Sequence, residues 1–198
     1  MIDIQKMNGQ TIHSESEEHE LVARAAQGDR AAFKAIYQTY SERILNLIYY
    51  WLGDRLAAED ILQIVFMKVY RGLGAFRFES ALSTWIYRIA LNECQNQSKR
   101  AGSRFVPFEA ILGSGEEVDP QPAPDHQHAI RERQQILSQA LMELPPKFRA
   151  VVILKYLEGL SYAEIAAAMQ CSTGTVASRL SRALGQLEKQ LRPLRRLL

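Results

Sequence analysis

Apolar side chains recur every three or four positions along most of this chain, and the places where the rhythm breaks divide it. Between Gly28-Asp29 and Gly53-Asp54 the positions Phe33, Ile36, Tyr37, Tyr40, Ile44, Leu47, Ile48 and Trp51 keep helical spacing. Residues three and four apart share one face of a helix, so this stretch predicts one long amphipathic helix. Asp29 and Asp54 stand where N-caps are wanted, because a carboxylate oxygen can accept from the orphan amides of a first turn. The rhythm returns in Ile61, Leu62, Val65, Phe66, Val69 and Tyr70, which predicts a second helix from near Arg55. A glycine-marked loop from Gly72 to Ser83 follows, and Trp85, Ile86, Ile89 and Ala90 predict a helix running to Lys99-Arg100. With a shorter helix from Glu18 to Gln27, the first part of the chain reads as a four-helix domain.

From Ala101 to His128 all periodicity stops. That segment holds four prolines, three glycines and the acids Glu109, Glu116, Glu117, Asp119 and Asp125, the composition of an extended linker. Helical spacing resumes at Ile130, Leu137, Leu141 and Leu144 and halts at Pro145-Pro146, where the ring nitrogens can donate no hydrogen bond. It resumes again with Phe148, Val151, Val152 and Leu157. No stretch alternates with the period of two that a strand requires, and there is no internal repeat. The expected fold class is therefore all-α, with two small helical domains joined by a flexible linker. The divisions are a disordered tail at 1–17, a first domain at 18–100, the linker at 101–128 and a second domain at 129–198.

The second domain carries a more specific pattern. Ser161-Tyr162-Ala163-Glu164 reads as a capping box, in which hydroxyl and carboxylate each satisfy an amide at a helix start. A short helix to about Met169, a polar break over Gln170 to Thr173, and a further helix with a buried stripe of Val176, Leu180, Ala183, Leu184 and Leu187 complete a helix-turn-helix. Ala166 is small enough for a close helix crossing, and Ile165, Met169, Cys171 and Val176 are its apolar pins. The opposite face offers Thr175, Ser178, Arg179 and Arg182, with Thr173 at the helix start. Arginine can grip guanine with two hydrogen bonds, and hydroxyls reach phosphates or base edges, so this face suits a DNA major groove.

Composition narrows the class further. With 198 residues, 47% of them apolar, the chain can bury a real core. Its longest apolar runs, such as Val151 to Leu154, fall far short of the roughly 20 residues that span a bilayer. Met1 to Glu20 lacks both a basic start and an apolar stretch, so a cytoplasmic location without membrane insertion is expected. The net charge is only +2, yet the carboxyl end sets Arg179, Arg182, Lys189, Arg192, Arg195 and Arg196 against Glu188 alone, which suits an anionic partner. Cys94 and Cys171 fall among apolar helical neighbours and read as core fillers. There is no phosphate loop and no nucleophile motif, and His13, His19, His126 and His128 lie in polar segments. A metal site built on His126 and His128 would have no acid or thiol ligand arranged with them in a helix. Neither an enzyme nor a cofactor is expected.

Ala58-Glu59-Asp60-Ile61-Leu62-Gln63 leading to Val65-Phe66, and Phe76-Arg77 followed by Ser83-Thr84-Trp85-Ile86-Tyr87-Arg88-Ile89-Ala90, closely resemble region 2 of the sigma-70 family of RNA polymerase sigma factors. Glu158-Gly159-Leu160-Ser161-Tyr162 through Thr175-Val176-Ala177-Ser178-Arg179-Leu180 resembles region 4. Two such blocks in this order, with only a linker between them, are similar to the extracytoplasmic-function subfamily. The resemblance implies that Asp60, Gln63, Phe66 and Lys68 bind core RNA polymerase. It implies that the loop Phe76 to Ala81 captures a base flipped out of the minus-ten promoter element, with Arg77, Phe78, Glu79 and Ser80 in recognition. Arg88, also at the minus-ten DNA, and Lys99 and Arg100 would meet backbone phosphates, and Thr173, Thr175, Ser178, Arg179 and Arg182 would read the minus-thirty-five element. Promoter DNA, core RNA polymerase and an anti-sigma protein are the implied partners. Four positions depart from the family habit: Ile64 where an acid is usual, Phe78 where glycine is common, and Ala177 and Leu184 where arginine is common. An operator-binding regulator that does not join the polymerase would leave the Ala58 to Ala90 motifs unexplained, and a pure interaction protein that sequesters an anti-sigma factor is the other rival.

Overall fold

The computed structural model describes residues 15–100 and 136–192. The elements, in order, are α1 (Glu15–Ala26), α2 (Arg30–Leu52), α3 (Arg55–Gly72), a 3-10 turn (Leu73–Ala75), α4 (Leu82–Arg100), α5 (helical at 136–143), α6 (Pro146–Val152), a π-helical turn (Ile153–Leu157), α7 (Tyr162–Met169) and α8 (Thr173–Leu191). Among the described residues there is no strand. The linker at 101–128, the tail at 1–14, and His13, His126, His128, Arg195 and Arg196 lie outside the described residues. Residues 15–17, expected in a disordered tail, instead form the first turn of α1.

The first four helices close around one core, and side-chain caps fix where α2 and α3 begin. Asp29 accepts from the amides of Ala31 and Ala32 at 2.8 and 3.1 Å, and its other oxygen takes the guanidinium of Arg24 at 2.7 and 2.9 Å. The Arg24 hydrogen bond, aided by the Ala32 amide, holds the Asp29 carboxyl below its ordinary range. Asp54 accepts from Ala57. Ile36, Ile44, Leu47, Ile48 and Trp51 of α2 then meet Ala58, Ile61, Leu62, Val65 and Val69 of α3 and Leu82, Ile86, Tyr87 and Ala90 of α4 in a dry interior. Tyr37 and Tyr70, predicted for the apolar stripe, lie at its rim, 40% and 45% exposed. Each sets its ring edge-on against an inner one, Tyr37 on Phe66 and Tyr70 on Phe33, an arrangement that suits a ring with a polar end.

In the second domain Val176, Leu180, Ala183 and Leu187 of α8 pack with Ile165 of α7 and with Leu141, Leu144, Phe148, Val151 and Leu154. Leu184, assigned to this stripe from its spacing, is 40% exposed, because the buried seam follows 176, 180, 183 and 187 and leaves 184 at its rim. The break before α8 is shorter than expected. Ser172 is the N-cap and Thr173 already lies in the helix.

Candidate polymerase and promoter interfaces

On α3 the residues Leu56, Asp60, Gln63, Ile64 and Met67 form one outward face, since they sit at i, i+4, i+7, i+8 and i+11. Leu56 is 76% exposed and Met67 52%, so this face mixes open apolar surface with two polar side chains. Lys68 lies beside it but is engaged, its Nζ donating to Glu93 Oε1 at 2.5 Å. Phe66 points inward, 4% exposed, because its helical position coincides with the α3 core stripe.

The segment Phe76 to Ala81 leaves the 3-10 turn and leads into α4. Arg77, Glu79 and Ser80 line a cleft of about 260 Å³, together with Phe76, Thr84, Trp85 and Arg88. The loop is anchored by Trp85, whose ring lies over Gly72 so closely that a Cβ there would meet it at 2.9 Å. Phe78 does not line the cleft. Its backbone sits at φ +56°, in the left-handed region that side chains rarely adopt. Its ring meets Phe76 edge-on, with centroids 4.8 Å apart, and His19 of α1 in a tilted pair, 4.0 Å away. His19 is a contact that sequence reading missed, since nothing in its spacing marks it.

The helix-turn-helix is built as its sequence implies. Ser161 Oγ accepts from the Glu164 amide at 3.2 Å, and Glu164 Oε2 accepts from the Ser161 amide at 2.7 Å. Gln170 turns the chain at φ +51°, and the Cys171 amide closes onto Ala166 O at 3.0 Å. Ser172 Oγ then accepts from Thr175 N and shares a hydrogen bond with Thr175 Oγ1. Ala166 is buried at the crossing, Ile165 and Val176 are fully buried pins, and Met169 and Cys171 are partly buried against them. Thr173, Ser178 and Arg182 face outward, whereas Thr175 and Arg179 are half-buried. Arg179 approaches Cys171 Sγ at 3.8 Å and, with Leu91, Asn92 and Gln95 of α4, lines a cavity of about 710 Å³ between the domains. Cys94 is a core filler, fully buried, and burial pushes its thiol pKa upward. The side chains of Lys99 and Arg100 lie outside the described residues.

The two domains meet across a seam that carries charge. Glu158, 8% exposed, takes the Tyr87 hydroxyl at 2.5 Å and Arg43 Nε at 3.1 Å on one carboxylate oxygen, while Arg43 Nη2 donates to its backbone carbonyl. Burial raises the Glu158 carboxyl above its ordinary pKa, although Tyr87 and Arg43 pull the other way. Arg149 crosses the same seam in the opposite sense. Its guanidinium lies 5.6 Å from the Trp51 ring and donates to the carbonyls of Trp51, Leu141, Met142 and Leu144. These carbonyls end α2 and α5, where a cation is favoured. Burial, the leading influence, draws the Arg149 pKa down to about 10. Gly53, at φ +74°, ends α2 here, and a Cβ on it would collide with the Met142 thioether. Ala167 of α7 reaches the cleft below the loop.

A helix-turn-helix joined to a helical domain with an exposed amphipathic α3 and an aromatic loop defines a class, and comparison with known proteins names it. A family model for Sigma-70 region 2 matches residues 36–104, and one for Sigma-70, region 4, matches residues 134–187. The RNA polymerase sigma-H factor of Pseudomonas aeruginosa is 35% identical over 189 residues, 92% of this chain and 98% of that protein. The ECF RNA polymerase sigma-E factor of Escherichia coli is 37% identical over 182 residues, 88% of this chain and 94% of that protein. The chain belongs to the sigma-70 family of RNA polymerase sigma factors, within its extracytoplasmic-function (ECF) group. Among solved structures, CnrH in complex with the cytosolic domain of CnrY shares the fold at a TM-score of 0.69 and 21% identity, covering 89% of this chain and 97% of that one. The sigma factor RpoE in complex with the anti-sigma factor NepR from Bartonella quintana matches at a TM-score of 0.59 and 28% identity, covering 81% and 96%.

Proposed function

We propose that this chain binds core RNA polymerase through the exposed face of α3, with Asp60 and Gln63 as its polar contacts and Leu56, Ile64 and Met67 as apolar ones. The observation that carries this reading is the open apolar surface around two polar residues that the core does not use, at the position of the region 2 match. Lys68 contributes by pinning α3 to α4 through Glu93, and Phe66 by supporting the face from beneath. Arg77, Glu79, Ser80 and Arg88 receive the extruded minus-ten base in their shared cleft, beside the aromatic surface of Phe78. A shaped pocket and stacking surfaces supply what strand opening loses, a few kcal/mol per base. Thr173, Thr175, Ser178, Arg179 and Arg182 meet the minus-thirty-five element. The protein acts in the cytoplasm, carries out no catalysis of its own and is held in check by an anti-sigma partner.

Promoter engagement parts the two domains. The two promoter elements are about 25 base pairs apart, roughly 85 Å at about 3.4 Å per step. A compact chain of 198 residues has a radius of gyration of only about 16 Å. Arg179 lines the interdomain cavity and Ala167 reaches the base-capture cleft, so separation frees both reading surfaces at once.

Pull-down of purified core polymerase by the full chain tests the docking face. Asp60→Arg with Gln63→Ala should weaken binding by at least about tenfold, the size expected when two polar groups buried in an interface are replaced. Unchanged binding would remove α3 from the interface.

A further inference from the structure

We propose that His19 is a positioning residue for promoter opening, holding the base-capture loop in its working shape through Phe78. The inference rests on the base-capture role proposed for that loop, and goes beyond it by adding a residue of α1, outside the segment 36–104 that the region 2 model matches.

Phe78 occupies a left-handed backbone conformation that disfavours a side chain, so without outside support the loop would relax away from it. That support is a ladder of rings. Trp85 of α4 packs against Phe76 in a tilted pair at 5.1 Å, Phe76 meets Phe78 edge-on at 4.8 Å, and Phe78 meets His19 in a tilted pair at 4.0 Å, the closest ring pair of the three. Phe76 and Phe78 belong to the same short loop and can move together. Trp85 and His19 stand on helices, one at each end of the ladder. His19 is itself well placed to act as a stop, because its neighbour Glu18 accepts from Tyr40 of α2 at 2.6 Å and Val22, one turn on, is buried in the core. The imidazole and the Phe78 ring are nevertheless both exposed, so the contact adds little to the core. What it fixes is the turn between Arg77 and Glu79, the two charged side chains of the cleft that flank Phe78. A glycine at 78 would take the same φ without a side-chain penalty and would need no such stop.

The experiment uses the full chain on core polymerase at saturating concentration, with permanganate reactivity of minus-ten thymines as the readout of strand opening and core affinity measured in parallel. His19→Ala should lower opening by about 3- to 10-fold, the size of one aromatic contact, with core affinity unchanged, and His19→Phe should restore it. In a Phe78→Gly background, whatever its own level of opening, adding His19→Ala should change opening by less than about 2-fold, because the strained turn is gone. If His19→Ala opens DNA like the parent while Arg77→Ala or Glu79→Ala is impaired, the loop reading stands and the role of His19 is overturned. An equal loss in the Phe78→Gly background, or no rescue by His19→Phe, overturns it as well. If none of these variants affects opening, the base-capture reading fails and takes the proposal with it.

Discussion

Tyr87 of the first domain donates its hydroxyl to Glu158 of the second at 2.5 Å, inside a seam where Glu158 is almost wholly removed from water. A buried carboxylate that joins two domains makes their closure sensitive to pH. Burial, the leading influence, raises the Glu158 pKa, so the closed arrangement binds a proton more readily than the separated one. By linkage, closure strengthens as pH falls from neutrality toward the ordinary glutamate range near about 4.3, and weakens as pH rises through the shifted value. Small-angle scattering or energy transfer between labelled domains should show a more compact chain at a pH near the ordinary glutamate range than at a pH above neutrality. Glu158→Gln, which keeps an acceptor for Tyr87 but cannot ionise, should remove that dependence. A parent chain equally compact at both values would contradict the account.

Arg149 is the counterpart of Glu158, a cation from the second domain satisfied by four carbonyls and one aromatic face. Replacing it by Leu leaves the carbonyls that end α2 and α5 without their donor, at a cost of about 2 to 4 kcal/mol in chemical denaturation. Arg149→Lys should recover less than half of that, since a single ammonium cannot reach carbonyls spread along two helix ends. A loss below about 0.5 kcal/mol for the Leu variant would show the network to be incidental.

Ser161 and Glu164 close the capping box that starts the helix-turn-helix. Ser161→Ala should destabilise the second domain by about 1 kcal/mol, with Ser161→Asp close to the parent, because aspartate also caps. Thermal melts of the full chain, with binding to a minus-thirty-five duplex measured alongside, check both. A cap variant that melts like the parent would mean that packing of Ile165 and Val176 alone sets the helix start.

Arg182 projects from α8 into solvent, whereas Arg179 is half-buried toward Cys171. Arg182→Ala should therefore weaken binding to the minus-thirty-five element by about 1 to 3 kcal/mol if it reads a base, and should relax sequence preference at one position. A uniform loss on all sequences, with a shallower salt dependence, would place it on phosphate instead.

The parts of this structure that are legible in the sequence are the local ones. Asp29, Asp54 and Ser161 act within three residues of themselves, and the buried positions of α2 and α3 follow a rhythm that one helix imposes alone. Tyr37, Tyr70 and Leu184 depart from their expected burial for the same reason, because spacing shows which face a residue shares but not where the neighbouring helix ends. The seam is not legible. Arg43 and Glu158 are 115 positions apart, Arg149 and Trp51 are 98 apart, and a single charge in an apolar stretch has no period to betray its partner. His19 escapes notice likewise, since its partner Phe78 is fixed by a backbone turn that no propensity announces.

The central claim, that this chain directs core polymerase to promoters through α3 and its helix-turn-helix, is tested most directly by run-off transcription on fragments of its own genome. Purified core polymerase should yield discrete transcripts only when the chain is present, and Asp60→Arg with Gln63→Ala should abolish them while DNA binding by the second domain persists. Transcripts that appear without the chain, or a chain that binds DNA yet never brings the polymerase to a start site, would contradict it.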